Sequence, residues 1–251
     1  IFHEVFDGNT AEAPTLEPTL KKVLARYPHI RRLVVVADRG LLSLDNIEAL
    51  AKLHVTDQRA LEFILAVPGR RYGEFVDLLE PVSQKMAQAS EEVVEEALWQ
   101  GHRLVVAHHP QRAAEQTQER LAKIHALQQR ADQLAGKLDA QDGGSVLRGR
   151  KLSDSGAKAR LFHEVSDARL ARIIKVDLKS DLFTYQIDES ALARAQLMDG
   201  KLMLITNVQD MAPLEVIRRY KSLADIERGF RVLKSEIEIA PVFHRLPERI
   251  K

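Results

Sequence analysis

The chain has 251 residues, enough for one large domain or two small ones, and 45% of them are hydrophobic against 29% charged. That composition excludes wholesale disorder, and no apolar run approaches the roughly 18 residues that a membrane span needs. Cysteine is absent, which excludes disulfides, thiolate metal sites and cysteine nucleophiles, and fits a reducing compartment. The 37 basic and 36 acidic residues nearly cancel, so a nucleic-acid binder would have to gather its positive charge locally.

No basic and apolar leader pattern opens the chain. Ile1 to Phe6 alternates apolar and polar residues like a strand, and Asp7-Gly8-Asn9 reads as a turn. Because the chain opens inside that pattern, a piece of a longer protein is expected. A helix is expected from about Pro14, with Leu16, Leu20, Val23 and Leu24 on one face, stopped at Tyr27-Pro28. Leu33 to Ala37 is a wholly apolar, β-branched run of the kind buried at the centre of an α/β sheet, ended by Asp38-Arg39-Gly40. A helix beginning at Leu44-Asp45-Asn46 and a second buried strand, Phe63 to Val67, complete a β-α-β-α-β order.

From Arg70 to about Gln209 that alternation stops. Pro110 to Ala140 predicts a polar helix with Ile124, Leu127, Ala131, Leu134 and Leu138 at 3-4 spacing, most simply one arm of a helical hairpin. Leu147 to Arg160 carries Arg148, Arg150, Lys151, Lys158 and Arg160 against the single acid Asp154. It reads as a solvated basic loop or as a nucleic-acid contact. Strands are expected at Ile173–Val176, Phe183–Tyr185 and Leu202–Thr206, the last set up by Asp199-Gly200 as half of a hairpin. A long amphipathic helix is expected from Pro213 to about Ile239. His108-His109 reads as a surface pair.

Two positions attract chemistry. Asp38 lies at the carboxyl end of the most apolar strand, where open α/β sheets place ligand-handling groups; it also fits a plain turn aspartate before Gly40. Tyr220, Glu227 and Lys234 are spaced by seven, so at about 100° per residue they return to one helix face, beside Leu223, Phe230, Leu233 and Ile237. A glutamate on such a face needs a partner, a proton or a metal. Pairing with Arg231 or Arg228 is the structural alternative. Two carboxylates, one at a strand end and one on a late helix, suit a divalent-metal phosphoryl-transfer site. There is no P-loop, no G-x-G-x-x-G, no G-x-S-x-G elbow and no H-E-x-x-H.

At these residues the chain resembles insertion-sequence transposases of the DDE type, in the branch with an insertion inside an RNase H-like domain. Three stretches carry the likeness: Val5 to Glu12, Val36-Ala37-Asp38-Arg39-Gly40, and Tyr220 to Lys234. The last matches the family's Tyr-x2-Arg-x3-Glu-x6-Lys signature except that Leu223 stands where arginine is usual. Phe230-Arg231-Val232-Leu233-Lys234-Ser235 and His244-Arg245 also look typical of the branch.

The resemblance implies an RNase H-like α/β fold, a mixed sheet flanked by helices, with core segments 1–69 and 212–251 around a mixed insertion at 70–211. It implies Asp38 and Glu227 as catalytic and metal-holding acids for Mg²⁺, with Mn²⁺ an alternative. The first catalytic aspartate would lie upstream of Ile1, since Asp7 belongs to a later turn motif, and the site would then be incomplete in this chain. Tyr220, Lys234, Arg231 and Arg39 would contact DNA, together with Arg148, Arg150 and Lys151. The partners implied are double-stranded DNA, both terminal inverted repeats and target, and a second copy in a homodimer. The location implied is bacterial cytoplasm, at the nucleoid when DNA is bound. A binding-only remnant and an RNase H-like nuclease without strand transfer remain as alternatives.

Overall fold

The computed structural model describes residues 4–7, 10, 12–37, 44–144, 151–226 and 228–229. They divide into two compact units, one of 1–69, 94–107 and 202–251, the other of 70–93 and 108–201. The opening stretch of the first unit ends at residue 69. Residues 94–107 and 202–211, placed by sequence in the insertion, group with the first unit instead.

The first unit is built on a five-stranded mixed sheet. Its elements are α1 (Glu12–Arg26), β1 (Val34–Ala37), α2 (Leu44–Lys52), a small hairpin of β2 (His54–Thr56) and β3 (Arg59–Ala60), and β4 (Glu62–Ala66). The strands β5 (Val93–Trp99), β6 (His102–His108) and β9 (Lys201–Thr206) then add to it, and α7 (Pro213–Lys221) follows. The strand order is β1-β4-β9-β6-β5. β1 runs parallel to β4 with Val36 opposite Ile64, while β4 runs antiparallel to β9 with Leu65 opposite Ile205. A parallel pair requires a crossover, and α2 supplies it. Residues 4–7, expected within or next to a strand, have no regular structure.

The apolar runs find their places, but not as expected. Phe63 to Ala66 is wholly sealed from solvent, whereas Val34, Val35 and Val36 are half-buried because β1 ends the sheet among the described residues. The central strand is therefore β4. The hairpin β5–β6 had no counterpart in the sequence reading; it turns through Gln100 and Gly101, both at positive φ (48° and 80°), as a tight hairpin turn demands. Arg103 on β6 anchors the loop ahead of α7, donating to the carbonyls of Val208 and Met211 while paired with Glu96.

The second unit contains a 3₁₀ segment at Gly69–Phe75, α3 (Val76–Ala87), α4 (Pro110–Asp142), α5 (Asp154–Asp167), the hairpin β7 (Ile174–Val176) and β8 (Tyr185–Ile187), and α6 (Glu189–Leu197). The 3-4 spacing on α4 does what it predicts: Ile124, Leu127, Ala131, Leu134 and Leu138 are buried against Ala157, Leu161 and Val165 of α5. Gln141 ties the returning chain to α4, its amide exchanging two hydrogen bonds with the Leu152 backbone at 2.8 and 2.9 Å. Ser153 then caps α5 by accepting the Gly156 N–H. The basic run is thus not one loop, because its second half is helical. Lys158 is buried at 5% exposure with its ammonium on the Ser180 carbonyl, which removes it from any surface contact.

Asp199-Gly200 does not turn between two strands of a hairpin; it links α6 to β9. Asp199 is 4% exposed and accepts two bonds from Arg120 at 2.6 Å and one from Thr117 at 2.7 Å. Gly200 has φ +68°, and a Cβ there would lie 2.5 Å from the His109 carbonyl oxygen, so only glycine fits. Arg120→Met would leave a buried carboxylate without its cation. Urea denaturation should show a loss of about 3–5 kcal/mol; a loss within about 0.5 kcal/mol, the range of ordinary surface substitutions, would contradict a structural role for the pair.

Candidate active site

Two elements lead to the two acids singled out by sequence. β1 ends at Ala37, which is 4% exposed, and Asp38 follows it. Asp38, Arg39, Arg148, Arg150, Glu227, Arg231 and Lys234 lie outside the described residues. What the structure supplies is the scaffold that precedes Asp38 and Glu227 in the chain.

That scaffold puts α7 against β1 and β4. Val216 and Ile217 of α7 are fully buried in a cluster with Ile64 and Ala66 of β4, and Val34, Val36 and Tyr220 pack against the same cluster. Val34 and Val36 share a face by the two-residue period of a strand, and positions 216, 217 and 220 share a face by the helical period. The strand preceding Asp38 and the helix carrying Tyr220 therefore cover the same apolar cluster. Lys151 is exposed, in the segment before Ser153.

The helix expected to run unbroken from Pro213 to Ile239 is interrupted. α7 ends at Lys221, and Ser222 is a turn whose hydroxyl donates to the Arg219 carbonyl. Helical residues resume at 223–226, with 228 and 229 also helical. A serine hydroxyl competing for a backbone carbonyl is a known source of such breaks. Arg228, one alternative partner for Glu227, reaches Asp225 at 3.5 Å.

Charge concentrates in the last turn of α7, where Arg218, Arg219 and Lys221 follow one another closely. Arg219 is paired with Glu215 at 3.0 Å, and both are exposed enough for the pair to contribute little to stability. Asp7, rejected as an acid of the site, accepts the Thr10 N–H through its backbone carbonyl at 2.9 Å, as a turn residue does. Among the described residues no group of three or more His, Asp or Glu is placed to hold a metal ion, and no helix is long and apolar enough to cross a membrane.

Sequence reading misplaced His108. It is 6% exposed, at the end of the buried run Leu104 to Ala107, and only His109 is at the surface. The apolar run ahead of it was the available signal.

Arg103 is what fixes the approach to α7, so its removal tests whether the scaffold matters. Arg103→Leu strands two carbonyls and should cost about 1–3 kcal/mol. In hydrogen exchange, amides of 213–221 should lose protection more than those of α4; equal loss in both would contradict a local role.

No curated protein and no solved structure matches the chain. A family model described as a transposase DDE domain matches residues 2–249. With nearly the whole length covered, and with a mixed α/β sheet whose first strand leads to Asp38, the chain belongs to the DDE transposase domain family.

Proposed function

We propose that this domain cuts DNA at the ends of an insertion sequence and joins the freed ends to target DNA, on an RNase H-like sheet in which Asp38 and Glu227 are catalytic acids. Membership of the family gives DNA transposition in general. The observation that carries the finer reading is the shared cluster beneath β1 and α7, because it ties the elements flanking both acids to one sheet face.

Chemically the donor set fits a divalent cation. Two carboxylates are hard oxygen ligands, suited to Mg²⁺ or Mn²⁺, and they leave positions free for phosphate oxygens. The cation, when bound, supplies activation of the attacking oxygen and charge neutralisation at the leaving one. The remaining work falls to the chain. Tyr220, Arg39, Arg231 and Lys234 hold the phosphate backbone in register, and Arg148, Arg150 and Lys151 extend the contact along the duplex.

Water attacks the phosphorus at the element's 3′ end, the P–O3′ bond breaks, and the departing oxygen takes up a proton. The freed 3′-hydroxyl then attacks a target phosphodiester, gives up its proton, and displaces a target 3′-oxygen. Positioning and electrostatics supply most of the rate in such transfers. A third carboxylate, implied by the resemblance, would complete the site. A homodimer would bring two element ends together, in the bacterial cytoplasm at the nucleoid.

Asp38→Ala and Glu227→Ala, made in a cleavage-competent form of the transposase carrying this domain, should each reduce Mg²⁺-dependent end cleavage by about a hundredfold or more without unfolding it. Cleavage indifferent to both substitutions would end the catalytic reading.

Neutralising Arg148, Arg150 and Lys151 should weaken binding to all DNA sequences alike. The slope of log affinity against log salt should fall by roughly 0.9 for each phosphate that is no longer neutralised. An unchanged slope would return this segment to a solvated loop.

A further inference from the structure

The second unit contains an open cleft of about 910 Å³ that the DNA chemistry does not use. Its volume is within the range of small-molecule sites. Ala113, Ala114 and Leu121 of α4 and Leu197 of α6 give it apolar walls, and His108 and Lys201 bring a buried imidazole and an ammonium to it.

These two groups are unusual in what they lack. The His108 ring bonds the Asp199 backbone, but among the described residues its buried Nδ1 atom has no hydrogen-bond partner, in a side chain only 6% exposed. Buried polar atoms are nearly always satisfied, and an orphan costs about 1–3 kcal/mol. Among the described residues Lys201 makes no ion pair. Asp199, the carboxylate that acts on it, is already held by two bonds from Arg120 and one from Thr117. Burial pushes the Lys201 ammonium and the His108 ring below their ordinary pKa values, and the charge of Lys201 pushes the His108 ring further down, while the Asp199 carboxylate and its backbone act in the opposite direction on each.

Among the described residues no acidic side chain lines the cleft. α4 begins at Pro110, on the cleft wall, so the positive end of a 33-residue helix adds to the two basic side chains. A cation would be repelled. A neutral apolar molecule would leave the histidine nitrogen and the ammonium desolvated without compensation. Free phosphate would find charge but would waste the apolar walls.

We propose that the cleft binds a small carboxylate with an apolar body, its anionic group between His108 and Lys201 and its body along Ala113, Ala114, Leu121 and Leu197. The carboxylate accepts hydrogen bonds from the ammonium and, with the proton that its charge draws onto the ring, from the imidazole, and the apolar body removes those walls from water. This site is independent of the acids at 38 and 227, so its failure would leave the transposase reading untouched.

The test uses isothermal titration calorimetry on the 251-residue chain with three probes of one shape: 4-phenylbutyrate, 4-phenylbutanol and 4-phenylbutylamine. The acid should bind about tenfold or more tightly than the alcohol, and the amine should bind more weakly than either. Lys201→Met should erase the preference for the acid. Leu121→Asp, at a position 43% exposed and therefore tolerant of the change, should weaken the acid selectively by placing a carboxylate on the wall. Circular dichroism checks that both variants are folded. No saturable binding of the acid, equal binding of the three probes, or an acid preference that survives both substitutions would overturn the proposal.

Discussion

The sealing of β4 constrains everything else in the first unit. Phe63, Ile64, Leu65 and Ala66 are all at 0% exposure, so the strand must have neighbours along both edges and apolar cover on both faces. Its backbone groups cannot be left for water. β1 takes one edge and β9 the other, and the Asn207 side chain closes the end of the ladder by bonding Phe63 and Leu61. Ile64 and Ala66 require cover on their face, and α7 provides it through Val216 and Ile217. The parallel register of β1 with β4 then sets Val34 to Ala37 alongside Glu62 to Leu65.

The second unit solves a different problem. A helix as long as α4 with a polar composition cannot hold its shape on propensity alone; most of its stability must come from its apolar stripe. α5 covers that stripe, and the Gln141–Leu152 exchange and the Ser153 cap fix how the chain returns. At its other end the Asp199–Arg120–Thr117 contact and the close approach of Gly200 to His109 fasten the turn into β9. That fastening occupies Asp199, so among the described residues Lys201 makes no ion pair of its own.

Legibility in the sequence followed the strength of the local pattern. Val34 to Ala37 and Phe63 to Ala66 were readable because unbroken β-branched or apolar runs have few alternatives. The stripe on α4 was readable because five apolar residues held the helical period. β5 was not: Glu95 and Glu96 interrupt it, and its pairing with β6 depends on a turn, Gln100-Gly101, that lacks the usual Asn-Gly signal. α5 was hidden by its charge, since Lys158 and Arg160 suggested solvent although Lys158 is buried on a carbonyl. The centrality of β1 was misjudged because composition reports burial and not the number of neighbours. Asp38 and Glu227 rested on spacing joined to resemblance, and the family match supports DNA transposition in general. His108 was missed because a histidine pair suggests a surface, whereas its place at the end of a buried strand suggests the interior.

Asp38 and Glu227, 189 positions apart in the sequence, are proposed to serve one cation. Iron-directed backbone cleavage tests this most directly. Fe²⁺ is loaded in place of Mg²⁺, ascorbate and peroxide are added, and the protein fragments are mapped by mass spectrometry. Two clusters of cuts are expected, one around residue 38 and one around residue 227, both suppressed by excess Mg²⁺ and both lost in either alanine variant. Cuts at only one of the two segments, or cuts that Mg²⁺ does not suppress, would contradict a shared site.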